Sequence, residues 1–388
     1  MSHVYGIPAS AASFVAAATD LARTVAGPRA ADNDRGARFP TESIAALGKE
    51  ALLGLCVARE SGGAGEGMRA FCAVTEELAQ GCASTAMIYV MHVSAQQAIA
   101  SSPVLAERAT ILKDIAAGRH LTTLALSESG SRSQFWAPVS KLVVRGDGFV
   151  TSAHKSWITS AHHADSYVAS AQQPEAKSAL ESTVFLARTS APQVRRTTHF
   201  DGLGLRGNDS APATFEDLPV GRGDLVSDVG AGAKTMLEVV LPWFAVGSAA
   251  MAHGLLRATV AATAQHLQSR AFEHSGTALR DLPNLRARLA QMYVRTEASR
   301  ALLGRTLAVI EDGAADAPLY VLAARRAALD AALEVTDLAM RTCGGAAFSR
   351  HLPIERLFRD ARAGWVMAPT VDHLDDFIGK ALTGLPLF

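Results

Sequence analysis

The sequence predicts an α+β multidomain protein, and three observations carry that prediction. Apolar residues recur every three or four positions through the first third of the chain. Short runs rich in Val, Ile, Phe and Thr, separated by Gly-Asp and Ser-rich turns, fill the middle. Helical patterns far longer than an average helix occupy the last third. The expected domains are a helical one over 1–119, a β domain over 120–229 and a helical bundle over 230–388. A length of 388 residues calls for more than one domain of the common ~100–150-residue size.

In the first block Ile44, Leu47, Leu52 and Leu53, then Phe71, Val74, Leu78 and Ala79, mark helix faces that need burial. Pro40-Thr41-Glu42 starts one helix, and the glycines of Ser61–Gly67 break the pattern into a loop. His92 falls in a helix over Ala86–Ala100. The strand-length runs are Leu121–Leu126, Leu142–Arg145, Phe149–Ser152, Tyr167–Ser170 and Thr183–Ala187, with Ala213–Phe215 as a late strand. Gly146-Asp147-Gly148 joins two of them as a hairpin. The bundle helices are Thr235–Arg270, Leu285–Ile310 and Leu319–Met340. In the second, Leu285, Leu289, Met292, Thr296, Ser299 and Leu303 keep one face, the stripe an antiparallel bundle buries. In the third, Arg325, Arg326 and Asp330 lie off the Leu322/Leu329/Leu333 face and read as a solvated or subunit-facing stripe.

Composition excludes several classes. With 37 basic against 37 acidic side chains and only 19% charged residues, there is no long-range field to attract nucleic acid or an anionic membrane. Cys56, Cys72, Cys82 and Cys343 form no CxxC pair, so they read as free thiols in a reducing compartment, with no metal site. The first residues lack a basic region followed by an apolar core, and the expected location is cytoplasmic.

Five segments, in order along the chain, resemble motifs of the acyl-CoA dehydrogenase superfamily of flavoproteins. Ala125–Ser133 looks like the family's "TEPGxGS" segment and Lys155–Thr159 like its "KxWIT" strand. Gly202–Gly207 with Phe215-Glu216-Asp217 matches a third, and Arg270-Ala271-Phe272 resembles the start of "RxxFG". Cys343–Phe348, running without a gap to Pro353–Arg362, is the strongest match. The resemblance implies an N-terminal helical domain, a central β-barrel-like domain and a C-terminal four-helix bundle, built into a homodimer or homotetramer. It also implies an FAD cofactor. Trp157 would supply a flat apolar wall and Thr159 a donor at the isoalloxazine, while Leu126 and Ser127 would face its pyrimidine edge. Ser133 and the Arg270 guanidinium would bind phosphates, and Gly344 and Gly345 would let backbone approach the diphosphate or adenine closely. Phe272 and Thr370 complete that set; in the family the Arg270 and Gly344-Gly345 contacts come from a neighbouring subunit.

Desaturating an acyl thioester requires a base for the α-proton. The family places a Glu at one of two positions, which fall here on Ala368 and Phe244. With Trp243 and Met367 these residues make an apolar substrate pocket, and the catalytic residue is left open between the weak candidates Glu238 and His92. The leading reading is an FAD-dependent oxidoreductase acting on an acyl thioester or a related apolar substrate, passing electrons to an electron-transfer flavoprotein. One alternative is a monooxygenase fed with FMN or another reduced flavin by a flavin reductase. The other is a base-less subunit of a hetero-oligomeric dehydrogenase.

Overall fold

The computed structural model describes residues 3–387. Helices α1 (Ala12–Leu21), α2 (Gly27–Gly36), α3 (Thr41–Lys49), α4 (Met68–Gly81), α5 (Ala83–Ala100) and α6 (Arg108–Ala116) form the first block. Their buried faces are those the periodicity marks: Leu47, Phe71, Val74 and Leu78 have no exposed surface. Helix α5 is buried on nearly every side, because α4, the later helix over Leu241–Ser269 and the strand over Thr122–Ala125 all pack against it.

The middle block holds two sheets. In one, β1 (Thr122–Ala125) runs parallel to β4 (Ser166–Gln172), which pairs antiparallel with β5 (Ser182–Arg188). The other is antiparallel, in the order β2 (Val143–Arg145), β3 (Gly148–Ile158), β7 (Ala211–Val220), β6 (Val194–Arg195). The Gly146-Asp147 hairpin forms as expected, with Gly146 at φ 62°. The barrel-like expectation is overturned, since both sheets are open. A barrel needs a ladder that returns to its first strand. Among the described residues only single bridges, Glu128 to Lys155 and Lys141 to Gln172, link one sheet to the other. Strand composition reveals length and faces but not closure. The two sheets share a core of Phe149, Tyr167, Phe185 and Phe215.

After β7, a short turn α7 (Gly232–Lys234) and a π-helical stretch (Thr235–Val240) lead into α8 (Leu241–Ser269). Helices α9 (Pro283–Glu311) and α10 (Ala317–Cys343) pack on it, and after the single turn α11 (Gly345–Phe348) the shorter α12 (Ile354–Val366) and α13 (Val371–Thr383) close the bundle over α10. The segment Gly232–Ser269 is long and apolar enough to cross a membrane, but most of it is packed inside the protein as a core helix. Gly254 lets α8 approach α4: a Cβ there would lie 2.1 Å from the Glu76 carbonyl oxygen.

Candidate active site

Where the three blocks meet there is a cavity of about 770 Å³, within the usual range for a small-molecule site. Its wall on the β side contains Leu126, Ser127, Ser133, Trp157 and Thr159, and its wall on the bundle side contains Phe244, Met367 and Ala368. Eight of the sequence-predicted residues therefore converge, from segments up to 242 residues apart.

Trp157 is the clearest sign of a ligand. It lies where the β3–β7 register slips between Lys155 and Ile158, its φ is 57°, and 70% of its surface is exposed. A bulge re-aims a side chain at a cost in backbone strain, and a large indole gains nothing from water, so the conformation calls for a flat apolar partner. An isoalloxazine ring fits that description. The hydroxyls of Ser127, Ser133 and Thr159 line the same cavity, and Thr159 Oγ1 meets Ser210 Oγ at 3.3 Å. The cavity thus offers the flat wall and the donor edge that a flavin requires.

One carboxylate lines the cavity among the described residues, and it is already committed. Glu128 accepts from the N–H groups of Val139 (2.8 Å) and Ser140 (2.9 Å), and from Lys155 Nζ at 2.6 Å. Burial alone would raise its pKa, but Lys155 and Ser140 outweigh that and hold it below the ordinary value. A carboxylate so bonded is a poor base.

The remaining expected residues lie outside the cavity wall. His92 is fully buried in α5, with Nε2 3.2 Å from the Leu53 carbonyl and Nδ1 accepting from the Thr122 N–H at 3.2 Å. Burial pulls its pKa down to about 4, so it is a neutral clamp between the helical block and β1. Glu238 sits on the surface of the π-helical stretch beside Lys234. Trp243 turns toward Phe71 in the core, the ring centroids 5.5 Å apart. Thr370 precedes the first turn of α13, its Oγ1 3.3 Å from His373 Nδ1. Arg270 and Phe272 are exposed in the loop after α8, and a Cβ on Gly344 or Gly345 would meet nothing within 4 Å.

Two features escape sequence reasoning. His162 and His163, which read as solvated in a turn, both hold Asp209, at 2.9 and 3.0 Å, beside the cavity residues Thr159 and Ser210. Arg325 is completely buried, although it reads as part of a solvated charged stripe; Arg326, the next residue, pairs with Asp330 and Asp375 near the surface. Arg325 stands three residues after Leu322 and four before Leu329, so helical spacing puts it on their face, and α12 and α13 pack over α10.

Three family models match in order: the acyl-CoA dehydrogenase N-terminal domain over 9–119, the middle domain over 123–218 and the C-terminal domain over 230–382. The chain is 29% identical over 349 residues to the short-chain specific acyl-CoA dehydrogenase of Bos taurus mitochondria, covering 88% of this chain and 82% of that one. It is 27% identical to the cyclohex-1-ene-1-carbonyl-CoA dehydrogenase of Geobacter metallireducens, covering 94% and 95%. Butyryl-CoA dehydrogenase from Megasphaera elsdenii has the same fold, with a TM-score of 0.92 at 22% identity and coverage of 97% and 99%. The cytoplasmic expectation is corrected by these comparisons: the cattle and human short-chain relatives are mitochondrial, so neutral charge and free thiols do not fix a compartment. The three domain matches, in order from residue 9 to residue 382, and these relatives show that the chain belongs to the acyl-CoA dehydrogenase family and is an FAD-dependent oxidoreductase of that type.

Proposed function

We propose that the cavity binds an acyl thioester with its acyl group against Phe244, Met367 and Ala368, facing the flavin wall formed by Leu126, Ser127, Trp157 and Thr159. The observation that carries this reading is the division of one cavity into a donor-bearing side and an apolar side. FAD, when bound, is the acceptor for the hydrogen and electrons leaving the acyl chain. Trp157 orients that contact, the Ser127 and Thr159 hydroxyls favour the electron-rich form of the ring, and the apolar side excludes water from the reacting carbons. Among the described residues no free carboxylate of this wall takes the α-proton, since both base positions are apolar and Glu128 is tied to Lys155, so in this reading the α-proton passes to solvent while the hydrogen and electrons go to FAD.

The exposed Arg270, Phe272 and Gly344-Gly345 support a homo-oligomer in which these residues complete a neighbour's cofactor site; Phe348, 85% exposed at that point, fits a buried place between subunits. An electron-transfer flavoprotein is the acceptor this reading implies. A second reading, a monooxygenase using reduced flavin, is favoured by the lack of a free carboxylate in the cavity.

Anaerobic mixing with a panel of acyl-CoA thioesters separates the two. Loss of the oxidised-flavin absorbance with at least one thioester is expected. No change with any of them, together with oxygen-dependent product once a flavin reductase is added, would overturn the dehydrogenase reading. Flavin retained by the chain purified alone is expected as well, and its loss would favour a subunit that needs a catalytic partner.

A further inference from the structure

Arg325 is a buried charge that the reading above does not use. It projects from the middle of α10 with no exposed surface, and among the described residues no carboxylate pairs with it. Its Nη2 donates to the Met367 carbonyl at 3.0 Å, and Nη1 reaches the Ala368 carbonyl only at 3.5 Å. Its Nε has no partner, and its Cζ lies 4.6 Å from the centre of the Phe244 ring. A guanidinium carries five N–H donors, so most of this group's capacity is unspent. Burial pulls its pKa down to about 9, which leaves it charged at neutral pH.

The residues that meet its guanidinium by hydrogen bond or ring face all belong to the cavity wall. Phe244, Met367 and Ala368 line the acyl side, and Phe244 and Ala368 stand where the family resemblance places a catalytic carboxylate. The charge therefore sits one side chain behind the spot where an anion is missing. Bracing the 367–368 backbone would need only two donors, which a lysine supplies, whereas a guanidinium adds a planar fork suited to a carboxylate.

We propose that the acyl group of the substrate carries its own carboxylate at the end remote from the thioester, and that Arg325 is its counter-ion. This rests on the acyl-thioester reading of the cavity. The Phe244 ring now covers the guanidinium face, a cation–π contact weaker than a charge-assisted bidentate hydrogen bond. A carboxylate entering between Phe244 and Ala368 displaces the ring and takes the unused donors. A neutral acyl end offers nothing in exchange and leaves the ring in place.

The test compares glutaryl-CoA and adipyl-CoA with their neutral ω-methyl esters and with pentanoyl-CoA and hexanoyl-CoA, by anaerobic flavin reduction of the holoenzyme. The free carboxylates are expected to show a KM at least about tenfold below that of the esters. Arg325→Met is expected to erase that ratio while moving the KM of the neutral thioesters by no more than about twofold, and Arg325→Lys to keep part of it. Neutral thioesters that equal or surpass the carboxylates in the wild-type enzyme overturn the assignment, and this arm needs no variant to fold. Equal loss with both classes in Arg325→Met also overturns it, since a structural brace would act that way. If no thioester of either class reduces the flavin, the acyl-thioester reading itself has failed; if only neutral ones do, Arg325 alone has been misassigned.

Discussion

The bundle draws arginines inward in two places, partly buried Arg257 and Arg300 in one and fully buried Arg325 in the other, and their surroundings differ. Between α4, α8 and α9, Arg300 and Arg257 close on the buried carboxylate of Glu76 at 2.8 and 2.7 Å, and Tyr5 and His253 complete the cluster. Burial alone would raise the Glu76 pKa, but Arg300 outweighs it and the group stays below its ordinary value. Beside the cavity, Arg325 has two backbone carbonyls, an aromatic ring and no acid. A buried charge with its partner fastens elements together. A buried charge without one is a cost, and this one lies behind the wall that we propose takes the substrate.

The contrast is broken most directly at Glu76. Glu76→Gln leaves Arg257 and Arg300 with only their more exposed partners, Glu77 and Glu297, and the expected loss is about 3 kcal/mol of unfolding free energy. Urea unfolding of the flavin-loaded protein measures it. Arg300→Met should lose a similar amount for the mirror-image reason. Either variant staying within about 1 kcal/mol of the parent would mean that the cluster is no more than a surface network.

The same cluster sets an acid limit. His253 donates or accepts between Tyr5 Oη (2.9 Å) and Ser299 Oγ (2.8 Å), and burial pulls its pKa down from 6.5 to about 4. The folded state therefore binds this proton more weakly than the unfolded chain does. Stability from this group is complete above the unfolded value and is lost as pH falls from 6.5 toward 4, by about 3 kcal/mol. His253→Gln should flatten that part of the curve of unfolding midpoint against pH. His92, held near pKa 4 for the same reason, contributes in the same direction, so the single variant removes only its own share.

How much of this was legible in the sequence follows from how local each feature is. The convergence of Trp157, Thr159, Leu126, Ser127 and Ser133 on one cavity was legible because they fall in two short segments, each recognisable alone. Ala368 and Phe244 were legible as apolar substitutes because they could be counted from neighbouring motifs. Arg325 was not. It stands three residues after Leu322 and four before Leu329, the spacing that puts it on their buried face, but its charge and its neighbour Arg326 outweighed that spacing. That α12 and α13 cover this side of α10 is a contact between separate segments, which no single helix pattern shows. Closure of the β domain was illegible for a related reason, because whether strands meet at an edge depends on pairing between segments and not on their composition.

A carboxylate placed beside the unpaired arginine sharpens the comparison. Ala368→Glu restores an acid at a position whose carbonyl lies 3.5 Å from Arg325 Nη1. The pair should couple by about 2 kcal/mol, measured as a double-mutant cycle with Arg325→Met, because the same Glu without the arginine is an isolated buried charge. Neutral acyl-CoA thioesters should reduce the flavin faster in the single variant, and the advantage of the carboxylate-bearing thioesters should disappear once Arg325 is occupied. A coupling near zero would show that the guanidinium and the 368 side chain do not share a space.

The smallest effect is the most discriminating. Arg325→Met removes one good hydrogen bond, to the Met367 carbonyl, worth about 1 kcal/mol. It also removes a desolvated cation that has no counter-ion, which offsets that loss by a comparable amount. The net change in stability should stay within about 1 kcal/mol of zero. Arg300→Met, the same substitution in the paired cluster, should cost several times more, although both side chains come from long bundle helices. If Arg325→Met proves as damaging as Arg300→Met, Arg325 is a brace for the 367–368 backbone, and the charge beside the cavity exists for the fold. If it is neutral, the buried charge is maintained for something that binds there.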